Sequence, residues 1–249
     1  AGHQAFQTQQ PQHPADRGRH ALEAQAQELV QLADKTEMEF KRGEEVVSGN
    51  IAVGSGETNS VRELADIIGR FQKRYPLVQY DLYTANADDI KDRLDKGILD
   101  IGLLTEPVDI GKYNFIRLKR KERWGVLVRA DSKLAEKSSV SPQDLLDVPI
   151  FLAQRPLVKN ELEGWFGEYY DRIHVAGTYN LINNVAVMVE KKIGVALCFR
   201  LQNHFDGLKY IPLSPEVETG AVIVWKKAQI VSRTMYQFIS FIREYQEGQ

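Results

Sequence analysis

The residues best suited to chemistry stand where short apolar runs end and helical patterns begin. Ser55, Gly56, Glu57, Thr58 and Asn59 form the first such group. They follow the apolar residues 51–53 and carry mostly small or hydroxyl side chains. Backbone N–H groups at a helix start, with the helix dipole behind them, favour an anion or a polar oxygen. Thr84-Ala85-Asn86, Thr105-Glu106-Pro107, Gln154-Arg155-Pro156 and Cys198-Phe199-Arg200 occupy equivalent positions after later apolar runs. In a parallel α/β sheet the C-terminal strand ends face one crevice, so these groups are expected to converge there. Their chemistry is recognition, with Arg155 able to fork onto a carboxylate.

Catalysis needs a constellation that is hard to find here. The sequence has no Walker A loop, and Asn59 stands where the third glycine of a dinucleotide fingerprint belongs. Val53 fills the first glycine position of a G-x-S-x-G elbow around Ser55. Of the five histidines, His3, His13 and His20 lie in or beside a polar N-terminal stretch, and His174 and His204 are isolated. Such spacing does not suit a metal centre. The single cysteine, Cys198, sits between Leu197 and Phe199 and reads as a small buried hydrophobe. No catalytic residue, metal or cofactor is expected. A net charge of −2 gives no electrostatic case for gripping nucleic acid with these residues. The basic run Arg117, Lys119, Arg120, Lys121 and Arg123 is expected to be a solvated edge strand. A lone thiol suits a reducing compartment, and no apolar run is long enough to cross a membrane.

Several elements must position these groups. Residues 1–18 are rich in Gln, Pro and His and read as a disordered tail. Leu22, Ala26, Leu29, Ala33, Thr36 and Phe40 alternate at spacings of four and three. That narrow seam predicts a helix over 19–48, roughly 40 Å long, pairing with a partner. From Asn50 the pattern becomes β-α-β-α-β, with strands at 51–53, 78–83 and 99–104. Ser60 and Glu63 stand at capping-box spacing for the first helix, and Asn86 opens the second. Two strands are expected at 114–118 and 124–129. A second set follows: a helix start at Ser141-Pro142, helices over 161–170 and 181–191, and strands at 149–153, 173–178, 193–199, 208–213 and 220–225. A last helix carries Met235, Phe238, Ile239 and Ile242. The pattern predicts two α/β units joined by strands and closing around a ligand.

From Gly49 to Tyr245 the sequence resembles the effector-binding domain of LysR-type transcriptional regulators. Four landmarks carry the resemblance in order: Gly49-Asn50-Ile51-Ala52-Val53-Gly54, Phe71-Gln72-Lys73-Arg74-Tyr75-Pro76, Leu99-Asp100-Ile101-Gly102-Leu103 and Gly194-Val195-Ala196-Leu197. The resemblance implies a two-lobed, type II periplasmic-binding-protein-like α/β fold, with lobes 49–125 with 224–249 and 126–223, preceded by a long linker helix. It implies a small effector, often carboxylate-bearing, held by Ser55, Gly56, Glu57, Thr58, Ala87, Thr105, Glu106, Gln154, Arg155 and Phe199. It also implies a cytoplasmic, non-enzymatic homodimer or homotetramer associating through Leu22, Ala26, Leu29, Ala33 and Phe40. Promoter DNA would be contacted only by a winged helix-turn-helix that these residues do not include. The family often has proline where Phe199 stands and glycine where Lys192 stands, and Glu57 adds negative charge to the cleft. A transport solute-binding protein of the same two-lobed type is the alternative reading; it would lack the 19–48 helix.

Overall fold

The computed structural model describes residues 26–27, 30–31, 46–201, 205–227 and 231–248. The chain divides into two units, Ala1–Val46 and Val47–Gln249. In the first, Ala26, Gln27, Val30 and Gln31 are helical and exposed. Leu22, Leu29, Ala33, Thr36 and Phe40 of the expected seam lie outside the described residues, as do residues 1–18.

The second unit begins with β1 (Gly49–Ser55), α1 (Val61–Arg74), β2 (Val78–Thr84), α2 (Ala87–Asp95) and β3 (Ile101–Thr105). β2 and β3 flank β1 in parallel, as the β-α-β-α-β pattern requires. Then come β4 (Tyr113–Arg129), β5 (Pro149–Ala153), α3 (Pro156–Phe166), β6 (His174–Tyr179) and α4 (Ile182–Glu190). β7 (Val195–Phe199), β8 (Leu208–Pro212), β9 (Glu218–Lys226) and α5 (Arg233–Glu247) follow. Among the described residues the strands run in the order β2-β1-β3-β9-β4-β7-β5-β6, with β8 also on β4.

β4 joins the two lobes. Its first part pairs with β9, up to Arg123, and its second part, from Trp124, pairs with β7 and β8. Two strands were expected here, and the structure corrects that to one 17-residue strand with a register shift between Arg117 and Lys121. The intervening residues contain neither glycine nor proline to break it. Nor is the basic run an edge strand. Arg117 pairs with Glu106 at 3.2 Å, Lys121 with Glu218 at 3.4 Å and Arg123 with Glu216 at 3.0 Å. The chain returns between lobes through residues 213–217, and among the described residues β9 then pairs only with β3 and β4. The expected boundary at 223/224 therefore falls inside β9.

Two helices also differ from expectation. The one expected over 161–170 is α3, which starts at Pro156, a residue preorganised for a first helical turn. It stops at Gly167, whose φ of +54° suits glycine, and a 3-10 stretch follows. Ser141-Pro142 opens only a 3-10 turn, Pro142–Leu145.

Each sheet is covered on both faces. On the first, α1 and α5 bury Ile67, Phe71, Phe238 and Ile242 on one side, and α2 buries Ile90 and Leu94 on the other. Leu64, Ile67 and Phe71 fall at helical spacing, and their burial contributes about 6 kcal/mol of transfer free energy. On the second, α3 buries Leu162 and Phe166 against Val126 and Leu152, and α4 packs Ile182, Val185 and Val189 on the opposite face. The landmark glycines permit close approach. A Cβ at Gly54 or Gly102 would lie 2.8 Å from Ile90 Cγ2, and one at Gly194 would lie 2.5 Å from the Pro149 carbonyl oxygen.

Candidate functional site

The strand ends of both lobes face a cavity of about 410 Å³. Gly56, Glu57, Thr58, Ala87 and Thr105 line it from the first lobe, and Gln154, Arg155 and Phe199 from the second. Ser55 and Glu106, two further expected members, do not line it. The Ser55 carbonyl accepts from the Ala85 N–H at 3.1 Å, tying the ends of β1 and β2 together. Glu106 turns away to accept from Arg117. Trp124, Tyr179 and Ile182 also line the cavity, and sequence reasoning missed them.

The start of α1 was expected to favour an anion, and the protein fills that position itself. Glu122, 1% exposed, accepts from Asn59 N at 3.1 Å, from Ser60 N at 2.6 Å and from the Ser60 hydroxyl. The expected Ser60/Glu63 capping box does not form, because Ser60 is already engaged and Glu63 accepts from Gln246 at 2.6 Å. Charge-assisted bonds at a helix N-terminus are among the stronger ones, so Glu122 displaces the local cap. The signal was present as the one acid within the basic run, but its partners lie 62 residues upstream.

The other helices beside the cleft divide into two kinds. α2 caps itself: Asn86 Oδ1 accepts from Asp88 N at 2.9 Å and Asp89 N at 3.0 Å, and two aspartates occupy its first turn. α4 has Leu181 at its N-cap, with no side-chain cap and no acid in its first turn. Glu57 from the opposite lobe serves it instead, accepting from Ile182 N at 2.5 Å and from the Asn183 side-chain amide.

Arg155 precedes α3 and reaches across in the other direction. It donates to the Pro107 carbonyl at 3.0 Å and the Thr105 carbonyl at 3.4 Å, and its Nε lies 3.8 Å from Asp88. Its side chain is 11% exposed. Burial draws the guanidinium pKa below its ordinary value, against the pull of Asp88, yet guanidinium remains charged in proteins. Among the described residues, Arg155 Nε and Thr58 Oγ1 are buried polar atoms without a hydrogen-bond partner. Both residues line the cavity.

The apolar wall is built by Trp124 and Phe199, whose ring centroids lie 4.2 Å apart. The Trp124 indole donates to Thr219 at 3.0 Å, and Thr219 donates to Glu161 at 3.3 Å, where burial pushes the carboxyl pKa up. Cys198 is 5% exposed, and burial pushes its thiol up to about 12. Tyr179, likewise raised by burial, donates to the Leu197 carbonyl at 2.5 Å. Neither is an ionised nucleophile. Among the described residues no group of His, Cys, Asp or Glu is placed to hold a metal ion, and no helix is long and apolar enough to cross a membrane. The arrangement can bind and enclose a small polar molecule.

Two covered sheets sharing β4, with such a cavity at their strand ends, define a two-lobed, type II periplasmic-binding-protein-like domain. Residues 44–247 match the LysR substrate binding domain, and the chain belongs to that family. It is 24% identical over 182 residues to the uncharacterized HTH-type transcriptional regulator YvbU of Bacillus subtilis (strain 168), a match covering 73% of this chain and 61% of YvbU. The chain thus spans about three-fifths of that relative's length. The effector binding domain of QuiR in complex with shikimate superposes with a TM-score of 0.71 at 16% identity, covering 81% of this chain and 98% of that one. Full-length CbnR complexed with its target DNA gives 0.69 at 14% identity, covering 91% and 80%. At these identities the two structures show the shared fold. The relatives are transcriptional regulators, so the transport alternative is not favoured.

Proposed function

We propose that the chain is the effector-sensing part of a LysR-type transcriptional regulator and that its cleft binds a small carboxylate-bearing metabolite. The observation that carries this reading is the pair Thr58 Oγ1 and Arg155 Nε. They sit on opposite lobes, line one cavity, and are buried without hydrogen-bond partners, Arg155 Nε having only the Asp88 carboxylate at 3.8 Å. Buried polar groups left unpaired cost about 1–3 kcal/mol each, so a ligand acceptor that satisfies them gains affinity and ties the lobes together. The volume suits a metabolite-sized ligand. QuiR, which shares the fold, holds shikimate, itself a carboxylate. Gly56, Glu57, Ala87, Thr105, Gln154 and Phe199 complete the proposed binding wall.

The lobes in this reading are residues 47–123 with 218–248, and residues 124–217. An effector that favours one lobe arrangement shifts the population toward it. Val46, Val47 and Ser48 are not helical and β1 starts at Gly49. In this reading the linker helix expected over 19–48 therefore lies within residues 19–45 and serves a cytoplasmic homodimer or homotetramer, associating through Leu22, Ala26, Leu29, Ala33 and Phe40. A winged helix-turn-helix outside these residues contacts the promoter, and the domain itself carries no catalysis. The exposure of Ala26 and Val30 supports a partner for the helix. The test is a thermal-shift screen of carboxylate metabolites, shikimate among them. At least one compound is expected to raise the midpoint of the wild type and not that of Arg155→Ala; compounds that shift both equally overturn the assignment. Sedimentation velocity tests association: a chain starting at Gly49 is expected to run at lower mass than the whole chain, and equal association places the interface elsewhere.

A further inference from the structure

We infer that Glu57 is a tethered anion that fastens the lobes together at the start of α4 and thereby bars an effector carboxylate from that end of the cleft. Two independent features lead here. First, α4 is left uncapped by its own sequence. Leucine is a poor N-cap, no acid stands in the first turn, and the side chain of Asn180 turns back onto Leu181 N at 2.9 Å. α2 of the first lobe, by contrast, carries an asparagine cap and two aspartates. Second, the missing acceptor is supplied across the cleft. Glu57 lies 125 residues from Ile182 in sequence, yet one of its oxygens accepts from Ile182 N and the other from Asn183.

A carboxylate at this helix end is thus provided by the protein before any ligand arrives. Closure here is partly self-supporting. An effector carboxylate approaching α4 must displace Glu57 or lie against a like charge, and like charges in close contact repel. The effector's anionic group is therefore directed to Arg155 and Thr58. The part of the effector that lies against Glu57 is neutral or a hydrogen-bond donor. This consequence rests on the cleft being the effector site; the fastening itself does not.

The experiment is residue-resolved amide hydrogen exchange and acetate titration by NMR, on the whole ligand-free chain, comparing wild type with Glu57→Ala and Glu57→Gln. In Glu57→Ala the protection of the Ile182 and Asn183 amides is expected to fall about tenfold or more, with β3 and α1 amides unchanged. Excess acetate is expected to restore part of that protection in Glu57→Ala and to leave the wild-type Ile182 amide unmoved. Glu57→Gln keeps an acceptor without the charge and should fall between. Unchanged protection in both variants overturns the inference, as does acetate moving the wild-type Ile182 amide as strongly as the variant's. If Glu57→Ala does not fold, Glu57→Gln alone decides, by losing protection and gaining an acetate response or by doing neither. Metabolites that still bind through Arg155 while Ile182 protection is unchanged would sink the fastening and leave the site standing. Lost protection without any bound metabolite would do the reverse.

Discussion

Replacing Glu122 by alanine should destabilise the protein by about 3–5 kcal/mol, although the residue lies in a basic surface-like run and does not line the cleft cavity. Glu122 is 1% exposed and accepts from two backbone N–H groups and one hydroxyl at the start of α1. Hydrogen bonds to a charged group contribute about 1.5–3 kcal/mol each. The charge at a helix N-terminus adds about 0.3–1 kcal/mol. The terms do not add fully, because water entering the vacated space recovers part of the loss. Glu122→Gln keeps one acceptor oxygen and loses the charge, and should cost about 1–2 kcal/mol. Urea unfolding measures both, with an unchanged m-value required for the comparison. Because Glu122 also fixes Asn59 and Ser60 beside the Gly56–Thr58 turn, metabolite binding should weaken in both variants. A Glu122→Ala protein within about 1 kcal/mol of wild type would refute the reasoning, since water would then be capping α1 as well as the carboxylate does.

Three further outcomes follow from single residues. Lys192 has a φ of +65°, a conformation that costs a side-chain-bearing residue about 1 kcal/mol, so Lys192→Gly should gain roughly 0.5–1 kcal/mol in urea unfolding while Lys192→Ala gains nothing; equal effects contradict the strain. Burial raises the folded pKa of Glu161 above its ordinary 4.5, so the native state holds the proton more tightly than the unfolded chain. The associated stability is full below that ordinary value and is lost as pH rises through the raised one. The melting temperatures of wild type and Glu161→Gln should then agree in acid and diverge toward neutral pH, with the variant higher; a pH-independent gap contradicts this. Cys198, with its thiol raised to about 12, should react with alkylating reagents roughly a thousandfold more slowly than a free thiol near neutral pH. A rate close to that of a free cysteine would show that the pocket opens readily.

Local patterns carried much of the fold. The β-α-β-α-β start, the amphipathic faces of α1 and α5, and the glycines at 54, 102 and 194 all reflect contacts within one element or one sheet neighbourhood. The strand-end rule likewise brought Gly56, Thr58, Thr105, Gln154 and Arg155 to one cavity. Long-range chemistry stayed hidden. Ser60 and Glu63 have the spacing of a capping box, and nothing within ten residues reveals that Glu122 outcompetes Glu63 for Ser60. Glu57 reads as an odd charge in a ligand loop until Ile182 is placed beside it. Ser55 and Glu106 follow the strand-end rule in sequence, yet a backbone contact to Ala85 and an ion pair with Arg117 account for them instead. The basic run separates two apolar stretches in the sequence, and only its acidic partners on β9 and the approach to β9 explain the continuous strand.

The most direct test of the account is a calorimetric titration of a carboxylate metabolite that stabilises the wild type into wild type, Thr58→Ala, Arg155→Ala and the double variant. Binding between the lobes predicts an affinity weaker by about tenfold or more in each single variant and no measurable heat of binding in the double one. Wild-type affinity in the double variant would contradict it.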